Sequence, residues 1–376
     1  MKAKSIKGKS VTEIESSLQQ AIIDGFIPTL AIVFLSVKQD REAICALLDK
    51  HDIAVYGATS NGEFIDENYE TGTTAILLLD INPKYFFIQF AELHNGSDRQ
   101  ITTDLAKNAL TKFKNPAFLI TGSSLETDIE EMICGFTDVV GSDATIAGGM
   151  AGDDTSFTKQ YVFTHGKSSD RGIVCLVFDQ DKVLVKARAT HGWKAVGTEK
   201  TVTRSEGTRV FTIDNIPALD ICLKYSGLLI DHPNLPMELV ANFPLQLQRE
   251  KGNAVMRPAY AIMWEDHSLL TSGKIPEGSR IRFSLPPDFD SIEKVIEENK
   301  NMKEMEMPQA DALLIYNCGG RLLSFGPLIS EEIKGMKNIW NVPMAGMFSN
   351  GEIGPTLHGN LGTHNLTTCW VVIKEK

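Results

Sequence analysis

Three times along the chain an apolar strand ends in small or polar residues and is followed by a helix, a glycine-rich turn and a second apolar strand. The first copy opens with Pro28-Thr-Leu-Ala-Ile-Val-Phe-Leu-Ser36. A helical segment from about Asp40 to Lys50 follows, with Ile44, Leu47 and Leu48 on one face, then a turn within Ile53 to Phe64 and a strand from Thr73 to Leu79. The second opens at Pro116 to Ser124, continues with a helix from Glu126 to Phe136 and a turn at Ile146 to Asp154, and closes with Gly172 to Phe178. The third runs from Ala312 to Arg321, through a helix at Ile329 to Met336 and a turn within Val342 to Ile353, to a strand at Leu366 to Ile373. Apolar runs of strand length alternating with amphipathic helices call for α/β units, a mixed α+β chain. Ser-Asn-Gly-Glu occurs at Ser60 to Glu63 and again at Ser349 to Glu352, each time between a strand and an apolar residue. The shared flanks favour duplication over chance.

Between the copies, Tyr85 to Leu93 reads as a strand pair, and Lys182 to His191 and Thr208 to Ile213 as further strands. Asp214-Asn-Ile-Pro217 opens a helix that Ser226-Gly227 ends, because glycine takes the left-handed cap. The polar stretch Asp231 to Pro236 reads as a linker. Two α/β domains are expected, residues 28–226 and 227–373. In the second, Ala254 to Trp264 and Arg280 to Leu285 read as strands. Ser291 to Met305 reads as a helix in which Lys294 stands where a capping box calls for an acid.

With 376 residues the chain can bury sizeable cores without staples. Its net charge of -11 and pI near 5.3 argue against nucleic acid and against an anionic membrane surface. The basic start, Met1 to Lys9, lacks the apolar run of a signal peptide, and Ala75 to Leu79 is typical of apolar stretches too short to span a bilayer. A cytoplasmic location follows as the expectation. The six cysteines contain no CxxC pair, and the eight histidines show no HxxxH or HxH spacing, so no metal or other cofactor is expected. No GxxxxGK[ST] occurs. Gly148-Gly-Met-Ala-Gly152 lacks the acidic residue that a dinucleotide loop requires downstream.

Glycine-rich turns after strands expose backbone N–H groups and let a ligand approach closely. Carboxylates beside them, Glu63, Glu352 and Asp153, can hold an ammonium. With the turn serines Ser60 and Ser349, such sites suit a small polar metabolite. The plainer alternative is a tight turn in which the acid caps the next element. Cys318, before Gly319, Gly320 and Arg321, is either a reactive thiol or a small strand-end residue. Arg321 can clamp a carboxylate or phosphate through a two-pronged guanidinium, or be an exposed arginine without a partner; Arg257, before an apolar strand, can contact a ligand or be buried against an acid. His364 and Asn365, just before the last strand, complete a Cys-His-Asn set that a cysteine hydrolase would use. Asp153-Asp154 lacks a third acid at metal-ligand spacing.

Together these segments resemble the FIST family, a proposed sensory module of bacterial signalling proteins. Phe26 to Phe34 is similar to the opening of its N-terminal domain. Gly57 to Phe64 is similar to its Gly-Cys-Ser-Thr-x-Gly-Glu-Ile turn, with Ala58 in the usual cysteine position. Gly148 to Asp153 resembles a second turn, and Ile213 to Ala218 the closing element, with Asn215 in place of glycine. Asn242 to Leu245, Arg257, Ile275 to Gly278, Asn317 to Arg321, Gly351 to Pro355 and His364-Asn365 resemble the C-terminal domain. The resemblance implies a sensor of a small polar ligand, an amino acid among the candidates, that reports to a separate signalling protein. No output domain is recognisable before Pro28. A thiol enzyme using Cys318 with His364 and a ligand-independent scaffold remain the rival readings.

Overall fold

A computed structural model describes residues 1–94, 97–123, 127–228, 243–250, 253–357 and 361–376. The recurrent pattern is a structural unit of an edge strand, a helix, a central strand, a second helix, a parallel strand, a hairpin and an antiparallel strand. The first unit comprises β1 (Lys2–Gly8), α1 (Val11–Ile22), β2 (Leu30–Leu35), α2 (Arg41–Asp49), β3 (Ala54–Thr59), hairpin β4–β5 (Glu63–Ile65 and Asn68–Glu70) and β6 (Thr74–Asp80). The second comprises β7 (Phe86–Glu92), α3 (Asp98–Lys112), β8 (Pro116–Gly122), α4 (Ile129–Val140), β9 (Ile146–Met150), hairpin β10–β11 (Val162–Thr164 and Lys167–Ser169) and β12 (Gly172–Asp179).

The third unit begins with β13 (Val183–Thr190) and is then interrupted by a β module. The module holds β14 (Ala195–Glu206), β15 (Arg209–Ile213), β16 (Ile216–Pro217), α5 (Ala218–Ser226), β17 (Leu245–Leu247), β18 (Val255–Arg257), β19 (Ala259–Met263), β20 (Ser268–Thr271) and β21 (Arg280–Ser284), with its own apolar core. The unit resumes with α6 (Phe289–Met305), β22 (Ala312–Cys318), α7 (Gly319–Phe325), α8 (Ile329–Trp340), β23 (Met344–Ser349), hairpin β24–β25 (Glu352–Pro355 and Leu361–His364) and β26 (Thr368–Glu375).

In each unit the central strand pairs in parallel with the strand reached through a helix and antiparallel with the closing strand. A parallel pair needs such a crossover. The hairpin, however, leaves its own unit. β4 pairs with β23 of the third unit, β10 with β3 of the first, and β24 with β9 of the second. The exchange closes a cycle, so each sheet is completed by the preceding or following unit. The three sheets turn their inner faces to one shared core that includes Leu30, Leu119, Val174, Leu314 and Val371. At its heart the Tyr56 hydroxyl hydrogen-bonds Thr121 at 2.5 Å and Tyr316 at 3.0 Å, one residue from each unit. The outer faces are covered by α1 and α2, by α3 and α4, and by α6 to α8.

Local chemistry sets the helix starts. The side chains of Ser10, Asp40 and Asp128 accept N–H groups of the first turns of α1, α2 and α4. For α6 the capping box is Asp288 with Ser291, so the helix begins at Phe289, ahead of the Ser291 start expected from sequence. The Tyr85 to Leu93 stretch is one strand, β7, in unbroken register with β12. Pro258 interrupts the Ala254 to Trp264 run and divides it into β18 and β19, since proline cannot donate to a ladder. The residues before Pro28 form β1 and α1, and α3 and β14 are elements without a counterpart in the sequence reading. The Asp231 to Pro236 linker, Ser124, Glu126 and Asn242 lie outside the described residues.

Because hairpins and edge strands are shared, a fragment of residues 1–190 lacks partners for β4, β9 and β13. Expressed alone, it should give no cooperative thermal transition by circular dichroism, whereas the whole chain should. A fragment that melts cooperatively with native-like near-ultraviolet signal would contradict the interlocked architecture.

Candidate functional site

The glycine-flanked bends that follow β3, β9 and β23 meet on the axis of the three units. Thr59, Met150 and Phe348 hold equivalent places, opposite the ends of the central strands. Their carbonyls accept N–H groups from the next bend in a closed ring: Gly152 to Thr59 at 2.8 Å, Asn61 to Phe348 at 2.9 Å and Asn350 to Met150 at 3.1 Å. A side chain on Gly152 would come within 2.6 Å of Asn61, so the bends can approach this closely only with glycine there. The Asn61 side-chain amide donates a hydrogen bond to Asn350 Oδ1 at 2.8 Å, and its Oδ1 accepts the N–H groups of Asp153 and Thr155.

The two Ser-Asn-Gly-Glu bends are built alike. Ser60 donates to Glu63 Oε1, and the Thr73 N–H and hydroxyl donate to Oε2 at 2.9 and 2.8 Å. Ser349 donates to Glu352 Oε1 at 2.6 Å, and the Thr367 N–H points at Oε2 from 3.4 Å. Both glutamates are buried. Burial pushes Glu63 up to about 7 against the pull of its Ser60 and Thr73 bonds, and it raises Glu352 well above the carboxylate range. Asp153 is spent on its own loop: its oxygens accept the N–H groups of Phe157, Thr158 and Lys159 and the Gln160 amide.

Beside the third bend lies Cys318, buried against the Glu352 carboxyl. Burial, reinforced by the Glu352 charge, pushes its thiol up to about 12, so it is protonated at neutral pH. Arg321 is fully buried and paired with Glu332, which also accepts Asn317 and Thr368. Its guanidinium donates to the carbonyls of His191 and Leu366 at 2.6 and 3.1 Å and lies over the rings of Trp193 and Phe325. His364 bonds the Gly354 carbonyl at 2.9 Å, and burial lowers it to about 4.

Arg257 is the exception to this tight pairing. It is fully buried, yet its bonds to Asn365 Oδ1, Glu130 Oε1 and the Lys274 carbonyl are each 3.4 Å long. Among the described residues only the Met256 carbonyl accepts at 3.1 Å. Burial brings the guanidinium down to about 10. Nearby, Lys274 pairs with Asp128, the cap of α4, at 2.8 Å. A side chain on Gly351 would stand 3.8 Å from the Asn365 amide, so the third bend flanks this site. Arg257 comes from the module, Glu130 from the second unit and Asn365 from the third.

The turns that define the sequence pattern thus occupy one ring. A FIST N domain model matches residues 29–216, and a FIST C domain model matches residues 218–355. The chain belongs to the FIST family. FIST domains are associated with sensory signal transduction and small-ligand binding. No curated protein matches the chain.

In this FIST protein no described helix is long and apolar enough to cross a membrane. Among the described residues no group of three His, Cys, Asp or Glu stands close enough together to hold a metal ion. Glu130 and Lys274, which adjoin Arg257, were not singled out from sequence. Their only signal was charge, which most surface positions share.

Two measurements check this site. Arg321→Met leaves the buried Glu332 without its cation and should cost about 3–5 kcal/mol by urea unfolding, partly recovered in Arg321→Met with Glu332→Gln. A carboxyl whose pKa rises on folding favours the fold below its unfolded value and loses that contribution as pH climbs through the folded value. Wild type should therefore lose stability relative to Glu63→Gln between pH 4.5 and about 7, by on the order of 3 kcal/mol in all, with no further change above that window. A pH-independent difference would show that Glu63 is not held up by burial.

Proposed function

We propose that this FIST protein senses a small polar metabolite bearing a carboxylate, an α-amino acid among them, bound at Arg257. The observation that carries the reading is a fully buried guanidinium whose bonds, except one to its neighbour's carbonyl, are stretched to 3.4 Å. A cation removed from water demands short, charge-assisted partners, and a bidentate carboxylate supplies them. Glu130, half exposed beside it, would face the ammonium of the same ligand. Cys318, Ser349 and Glu352 would form the wall behind, with Asn365 as a second donor. The Arg321–Glu332 pair and His364 would hold that wall in place. The first-unit bend, with Ser60 and Glu63, and Asp153 would set its position from the axis.

The ligand would bridge the module, the second unit and the third. Its signal is then a change in how those parts sit, since only differential affinity for two arrangements can shift them. A separate signalling protein would read that change. The thiol-enzyme reading gains no support, because the thiol is protonated at neutral pH and His364 is engaged with Gly354.

Screening amino acids and related carboxylates by thermal shift should find compounds that stabilise wild type, by about 2.7 kcal/mol at a hundredfold excess over Kd. Arg257→Lys keeps the charge but loses the two-pronged geometry and should weaken binding at least about tenfold by calorimetry. A flat response to every compound, or unchanged affinity in Arg257→Lys, would reject the proposal.

A further inference from the structure

A cavity of about 700 Å³ opens between the β module and α6 of the third unit. Small-molecule sites occupy roughly 300–1,000 Å³. None of Met256, Lys274, Asn365 and Glu130, which accept from Arg257, lines it, so it stands apart from the site proposed above.

Its two walls differ in charge. The α6 wall carries Asp290, Glu293, Lys294 and Glu297. Asp290 is neutralised by Lys194 at 2.5 Å. Glu293 and Glu297, four residues apart and so on one helix face, are exposed, with no ion pair among the described residues. The opposite wall carries Arg282, from β21, and the amides Gln246, Gln248 and Asn253. Arg282 donates from one terminal nitrogen to the Gly197 carbonyl at 2.8 Å, while its Nε is buried without a partner among the described residues. Between the walls lies the His191–Ala195 segment. Trp193, almost wholly buried there, has an indole N–H with no partner among the described residues. Burial lowers His191 to about 3, so its imidazole stays neutral at ordinary pH, and the one cation of the segment, Lys194, is taken up by Asp290.

Unsatisfied donors on one side and uncompensated carboxylates on the other are complementary to a molecule with an anionic and a cationic end. We propose that this cleft is a second binding site, for a zwitterion of dipeptide size. The carboxylate meets Arg282 and the amides, and the ammonium meets Glu293 and Glu297. Its floor is tied to the interior by Arg321, which donates to the His191 carbonyl and lies over Trp193. Occupancy therefore bears on the same buried pair that supports Cys318.

The test uses the whole protein and glycylglycine as probe, followed through the indole N–H resonance of Trp193 in ¹H–¹⁵N spectra and assigned with Trp193→Phe. That resonance should shift saturably. The exposed double variant Glu293→Gln with Glu297→Gln should weaken binding at least about tenfold, as should capping the probe's amine with an acetyl group. Arg257→Lys should leave the titration unchanged, which separates failure here from failure of the Arg257 reading. A Trp193 resonance that never moves, equal affinity for the acetylated probe, or loss of the titration in Arg257→Lys would overturn the proposal.

Discussion

An unpaired strand edge is what the fold must resolve three times over. In each unit the strand parallel to the central one has a row of backbone donors and acceptors with no partner inside the unit. Left open, such an edge pairs with whatever chain it meets. Here each edge is filled by a three- or four-residue strand sent from another unit, and the exchange runs round a closed cycle. The bends that launch those hairpins are therefore forced together on the axis. Their backbone ring, the Asn61–Asn350 hydrogen bond and the Tyr56 hydroxyl network all follow from that convergence.

Convergence also explains why the bends carry acids. A bend buried at the meeting of three sheets has N–H groups cut off from water, and these must be satisfied within the protein. The carbonyl ring satisfies the N–H groups of Asn61, Gly152 and Asn350, and Glu63 and Asp153 tie the adjoining segments to the bends, accepting from Thr73 and from the Phe157–Lys159 turn. The burial that makes them useful as acceptors also raises the pKa of Glu63. Glu352 is different in one respect. Its backbone donor, Thr367, is 3.4 Å away, and a protonated thiol fills the remaining side. The third bend is thus less tightly closed than the first, and it is the one that flanks Arg257.

Much of the architecture was legible because the central strands are buried on both faces. Leu30 to Leu35 and Ala312 to Cys318 are wholly interior, so they read as continuous apolar runs, and their threefold recurrence marks the units. The repeated Ser-Asn-Gly-Glu marks equivalent bends for the same reason. Other parts left no such trace. Helix α3 packs on α4 through Thr102, Ala106 and Ala109, small residues that let Gly135 approach, so its buried face has no strong apolar stripe. The hairpin exchange was invisible because three-residue strands carry little pattern and their partners lie far away in sequence. Arg257 was legible as a candidate from its place before an apolar strand and from the family resemblance. That it is under-bonded depends on Asn365, Glu130 and Lys274, which arrive from three distant stretches of chain.

On the reading proposed above, position is what would let the Arg257 site signal. A ligand held inside one rigid unit would stabilise the protein without changing its shape. A ligand held by the module, by the cap region of α4 and by the strand end before β26 instead sets the spacing between bodies with separate cores. Lys274–Asp128 spans that junction at 2.8 Å, but the bonds of Arg257 across it are long, and a short carboxylate clamp would outweigh those. The ring on the axis is the opposite case, short-bonded and closed on itself.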